Sequence, residues 1–157
     1  MGLRLIFSIA FVVFLSSLIF PQKSHAVYGV KTVIEVNNAW VRYNPMAGRA
    51  SAAYMDIKNL GDVADTIIAV NIAPPAHAMM HQTITSGGIS KMLHLESADI
   101  AAFKTISFKP RGAHIMLMNM PTNLEINSHI ILELVFSSGK KFEAKFKLCP
   151  ITSAKIC

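Results

Sequence analysis

Turn-forming residues cut this chain into short runs of β-branched, aromatic and aliphatic residues, and no stretch carries a sustained helical repeat. Thr32 to Val41, Ala50 to Ile57, Asp65 to Ile72, His77 to Thr85 and Ile89 to Leu95 read as the first five strands. Asn59-Leu60-Gly61-Asp62, Pro74-Pro75 and Ser86-Gly87-Gly88 punctuate them. Thr105 to Phe108, Ala113 to Met120, Ile130 to Phe136 and Lys141 to Leu148 follow, with Lys109-Pro110-Arg111-Gly112 and Ser137-Ser138-Gly139-Lys140 as turns. Short strands at this spacing predict an all-β sandwich or barrel. Ala98 to Phe103 fits either a helical turn or an extended run, and pattern alone leaves it open.

The first residues have a different character. Arg4 precedes an uncharged run from Leu5 to Phe20, apolar apart from three serines, and Ser24-His25-Ala26 places small residues after Pro21. This is the pattern of a secretory signal, with a mature start expected at Val27; the rival is an uncleaved inner-membrane anchor. Either way the rest is expected outside the cytoplasm, in the periplasm, touching the membrane only if the signal is retained. Residues 27–148 are then one domain and 149–157 a short tail carrying both cysteines. Thirteen basic residues against nine acidic beyond residue 26 leave a net charge of +4, and they are scattered. A nucleic-acid face needs clustered Lys and Arg with aromatic residues between them, so that function class is set aside. Cys149 and Cys157 suggest one disulfide in an oxidising compartment, closing a short terminal loop. A redox-active thiol pair is the alternative.

Six of the nine methionines and four of the six histidines lie between His77 and Met120. Singly, each is most simply a packing methionine or a structural histidine. Their joint placement says more. Alternation along Ala113 to Met120 puts His114, Met116, Met118 and Met120 on one face, with His114 and Met116 about 7 Å apart at Cα. Across the preceding hairpin, a turn centred between Ser86 and Gly87 brings His81 and Met92 to one rung. Two imidazoles and two thioethers form a neutral, soft donor set that suits copper(I) and not zinc or calcium. His77 and His94 are assigned to surface or core, and Met79, on the face of His81, is an auxiliary donor. No nucleophile motif or paired carboxylates stand out, so the chain is not read as an enzyme.

His81, ten residues, Met92, twenty-one residues and His114-Ile115-Met116 match the H-x10-M-x21-H-x-M motif of the periplasmic copper chaperones called PCu(A)C. The resemblance extends to Asn38-Ala39-Trp40-Val41-Arg42, to Ala52-Ala53-Tyr54-Met55 with Lys58-Asn59, and to Lys109-Pro110 with Gly112 to Leu117. It runs from about residue 35 to 148, and Arg111 stands where that family usually has glycine. It implies a cupredoxin-like Greek-key β-sandwich binding one copper(I) per chain through His81, Met92, His114 and Met116. Met118, Met79 and Met120 would be auxiliary. It also implies a monomeric, non-enzymatic carrier that delivers copper to the copper-centre subunit of cytochrome c oxidase or to another copper assembly protein. Copper storage for tolerance, a thiol reductant built on Cys149 and Cys157, and a methionine-rich interaction module are the alternatives.

Overall fold

Each of the nine expected runs contains a strand in the structure, a computed structural model that describes residues 33–157. The predicted signal segment, its cleavage site and the anchor alternative lie outside the described residues. Ten strands follow in order: β1 (Ile34–Tyr43), β2 (Ser51–Asn59), β3 (Asp65–Asn71), β4 (His77–Ser86), β5 (Ile89–His94), β6 (Ala98–Ile100), β7 (Thr105–Phe108), β8 (Ala113–Met118), β9 (His129–Phe136) and β10 (Lys141–Pro150). The undecided segment at Ala98 begins with the short strand β6. Among the described residues no helix is long and apolar enough to cross a membrane.

The ladder runs β5-β4-β8-β2-β1-β10-β9-β3-β6, with β7 also on β2. β1 and β10 are parallel, and every other pair is antiparallel. Strands far apart in this order share one core: Met80 of β4, Ile115 and Leu117 of β8, Ile67 of β3, and Leu132 and Leu134 of β9 are all buried in it. The ladder therefore folds over on itself, which is the two-layer solution for a sheet with one apolar face. Alternation is clean where it matters most. In β10, Ala144, Phe146 and Leu148 point inward while Glu143 and Lys145 face solvent. Each fully buried Ile, Leu or Phe contributes about 1.5–3 kcal/mol relative to exposure. The fold is all-β and cupredoxin-like, as the strand pattern and the resemblance imply.

One buried charge ties two turns together. Asp65 opens β3 and accepts hydrogen bonds from the Thr66 amide (2.9 Å), the Ser137 hydroxyl (3.1 Å) and the Ser138 hydroxyl (2.7 Å). Burial acts to raise the pKa of its carboxyl, but the bonds from Ser138, Thr66 and Ser137 outweigh it and hold the group below the usual carboxylate range. The folded value lies below the unfolded one, so this stabilisation is present above the unfolded pKa near 3.9 and is lost as pH falls through the folded value. Asp65→Ala is expected to cost about 1.5–3 kcal/mol in urea unfolding at neutral pH. Its effect should shrink as the pH drops below the unfolded pKa near 3.9, and a pH-independent difference would contradict this account.

β7 and β8 lie end to end along the same edge of β2, with Met55 to Lys58 pairing β7 and Ser51 to Ala53 pairing β8. The turn between them is closed by the Lys109 amide donating to Ala113 O (2.7 Å) and the Gly112 amide donating to Lys109 O (3.0 Å). Arg111 sits there at φ 66°, in the left-handed region that glycine occupies most easily. This turn delivers the chain directly into His114.

Candidate metal centre

β8 carries the first half of the candidate site. Ile115 and Leu117 are fully buried in the core, so His114, Met116 and Met118 project from the opposite face. Met120 does not join them. Asn119 has φ 54°, which breaks the pleat after β8, and Met120 turns into the core instead. Met120 is therefore not placed to act as an auxiliary donor.

β4 lies beside β8 and supplies the second half. His81 pairs with His114, Met79 with Met116 and His77 with Met118, all on the outward face. The rings of His81 and His114 are stacked, with centroids 6.0 Å apart and planes at 25°.

The hairpin register differs from the expected one. Gly87 and Gly88 have φ of 58° and 78°, the pair of positive values that a two-residue hairpin turn requires. The turn is thus centred between the two glycines, Ser86 pairs with Ile89, and His81 pairs with His94 rather than Met92. Met92 pairs with Thr83, one step along the same face, and is diagonal to His81. Diagonal neighbours are still about 7–8 Å apart at the backbone, within reach of long side chains. His94 is at the surface, as expected, and its exposed ring lies edge-on to His81, with centroids 5.4 Å apart. Three imidazoles therefore form one row across β5, β4 and β8.

Met92, His114 and Met116 line a single pocket of about 180 Å³ together with Arg42, Ser51 and Ile151. Met92 is 54% exposed, whereas His114 is only 6% exposed, so the ring is anchored and the thioether is free to adjust. Nδ1 of His114 lies 3.0 Å from the Gly112 carbonyl, which can only accept a hydrogen bond. Donation by Nδ1 leaves the Nε2 lone pair as the ligand position. Nδ1 of His81 is buried and makes no hydrogen bond of ordinary geometry. An unsatisfied buried polar atom is costly, and a bound cation is one way to satisfy it. Among the described residues, no three His, Cys, Asp or Glu side chains converge as a metal-holding group. A metal here would need thioether donors, and Met92 and Met116 are placed to provide them.

Burial, then the neighbouring charges of His114 and His94, push the pKa of His81 below its ordinary value of 6.5, against a weaker opposing interaction with the Met79 backbone. The unfolded chain thus binds more protons than the folded one as pH falls below 6.5, so His81 contributes less stability there. In an NMR titration of the metal-free protein, the ring proton of His81 should report a midpoint below 6.5. A midpoint at or above that value would contradict the packing described.

Cys149 and Cys157 form a disulfide, with Cα atoms 5.7 Å apart. Cys149 is fully buried against Trp40 and Tyr54, and Ile151 in the loop it closes forms part of the pocket wall. Arg42, on β1, ends the Asn38-Ala39-Trp40-Val41-Arg42 segment of the resemblance but was not among the expected metal ligands.

The family described as "Putative lipoprotein LpqE-like" matches residues 34–148. "Putative lipoprotein Lxx21020" of Leifsonia xyli subsp. xyli is 32% identical over 108 residues, 68% of this chain and 63% of that protein. This chain therefore spans under two thirds of that relative's length. Among solved structures, the copper-bound PCuAC domain from PmoF2 superposes with a TM-score of 0.62 at 16% identity, covering 78% of this chain and 97% of that one. The PCuAC domain from PmoF1 gives 0.61 at 20% identity, covering 78% and 98%. CuI-DR1885 from Deinococcus radiodurans gives 0.58 at 23% identity, covering 86% and 89%. At these identities the structural likeness speaks to fold. The chain belongs to the LpqE-like family, on a fold that it shares with PCuAC domains.

Proposed function

We propose that this protein is an exported, non-enzymatic copper(I) carrier that holds one ion through His81, Met92, His114 and Met116 and passes it on to a copper assembly partner. The observation that carries the reading is the row formed by His81 and His114, with Met92 and Met116 beside His114 in one pocket. The donors are uncharged and soft, and that chemistry selects copper(I) over zinc, calcium or magnesium. Shared fold with a copper-bound PCuAC domain and with the CuI form of DR1885 supports it. Exposure of Met92 favours carriage, because one ligand can leave the ion while His114 stays fixed. Met118 and His77 form the next pair but one along β4 and β8, and Met79 pairs with Met116, so these side chains can assist release. We propose the periplasm as the compartment and the copper-centre subunit of cytochrome c oxidase, or a protein that loads it, as recipient.

Chelator competition under reducing conditions should find one equivalent of copper(I), with affinity sharply weakened in Met116→Ala. Unchanged affinity in Met92→Ala and Met116→Ala together would sink the proposal. Lowering the pH should weaken binding gradually as the histidines protonate, without abolishing it, since thioethers do not titrate. Delivery is tested separately: the copper-loaded protein should transfer its ion to the apo copper domain of the oxidase subunit. A loaded protein that never releases copper to that domain would support storage instead.

A further inference from the structure

A row of paired residues crosses the sheet from the candidate site to a cation. Met116 of β8 pairs with Ala52 of β2, and Ala52 pairs with Arg42 of β1. Only the methyl group of Ala52 stands between the two long side chains at that level, and Arg42 lines the same pocket as Met92, His114 and Met116. With strands about 4.8 Å apart, the backbones of residues 42 and 116 are about 10 Å apart, so the two side chains approach over the gap.

The guanidinium is held in place from behind. It lies 5.8 Å from the Trp40 ring centroid and 5.4 Å from that of Tyr54, and those two rings are 4.7 Å apart. Such contacts orient a cation without cancelling its charge. Nε of Arg42 is buried with no hydrogen-bond partner, and among the described residues no carboxylate pairs with the side chain. A fixed, uncompensated positive charge therefore faces a set of neutral donors.

We propose that Arg42 is a selectivity residue that holds this site to a monovalent ion, an inference that rests on the copper(I) reading above. Its field acts on copper(II) with twice the penalty it places on copper(I), while the uncharged ligands offer no charge to offset the difference. With the backbone separation of about 10 Å standing for the charge-to-ion distance and an effective dielectric near 20, one unit charge is worth about a tenfold change in the ratio of the two affinities.

The test is to measure copper(I) and copper(II) affinities of the purified protein by chelator competition, together with the reduction potential of the bound copper. Arg42→Gln should lower the copper(I)-to-copper(II) affinity ratio about tenfold, equivalent to a fall in potential of about 59 mV for one electron. Arg42→Lys, which restores the charge, should stay close to the wild-type ratio. If Arg42→Gln fails to fold, Arg42→Leu, which can still cover the Trp40 and Tyr54 rings, takes its place with the same expectation. An unchanged ratio in the neutral variant overturns the proposal. An equal fall in the lysine and neutral variants overturns it too, since that would report packing rather than charge. A wild-type protein that binds no copper(I) would instead remove the parent reading, and this one with it.

Discussion

Copper(I) affinity is expected to fall by roughly a hundredfold or more in His114→Ala, with the fold retained. Changes to groups that merely orient a metal ligand commonly cost 10–100-fold, so losing the ligand itself should cost at least as much. His114 is the best-positioned donor of the set. It is buried, it pairs with His81 on the ladder, and its Nδ1 is directed to the Gly112 carbonyl. Alanine removes both the donor nitrogen and the group that fixes its direction. Two controls separate this from general damage. His129→Ala alters a histidine on β9, on the wall of a different groove, and should leave affinity unchanged. Met120→Ala removes a core thioether and should lower stability without moving copper affinity. A His114→Ala protein that binds as tightly as wild type would rule out this histidine as a ligand.

The other large effect falls on the opposite face of the same strand. Leu117 is fully buried, one residue from Met116, and its side chain belongs to the core shared by both layers. Leu117→Ala is expected to cost about 2–5 kcal/mol, the usual range for emptying such a position. A loss of this size should lower Tm by roughly 10 °C or more in a domain of this length. Copper stoichiometry should nevertheless stay at one equivalent while the protein is folded, because the pleat sends residues 116 and 117 to opposite sides. Met116→Ala should show the reverse, with weaker copper binding and little change in Tm. If both variants lost copper and stability together, the division of β8 into a ligand face and a core face would be wrong.

Much of this arrangement was legible in the residues, because a β chain writes its pattern locally. Turn residues marked nine of the ten strands, and alternation in β8 separated His114 and Met116 from Ile115 and Leu117. The features that escaped depended on backbone conformation or on distant pairing. The hairpin register turned on which two residues occupy the central turn positions. Gly87-Gly88 was the available signal, since both positions need positive φ, and it would have paired His81 with His94 from the start. Met120 was carried off the face by the left-handed conformation of Asn119, which simple alternation does not anticipate. Arg42 belongs to the Asn38–Arg42 segment of the resemblance, but nothing local to it pointed to the site. It comes from the first strand, some seventy residues before His114, and reaches the pocket only because β2 pairs with both β1 and β8.

The central claim is a mixed sulfur and nitrogen site for copper(I), and X-ray absorption on the protein loaded with one equivalent under reducing conditions tests it most directly. The account predicts a cuprous edge with both a sulfur and a nitrogen shell, and loss of part of the sulfur shell in Met116→Ala. A spectrum fitted by nitrogen and oxygen alone, unchanged in that variant, would contradict it.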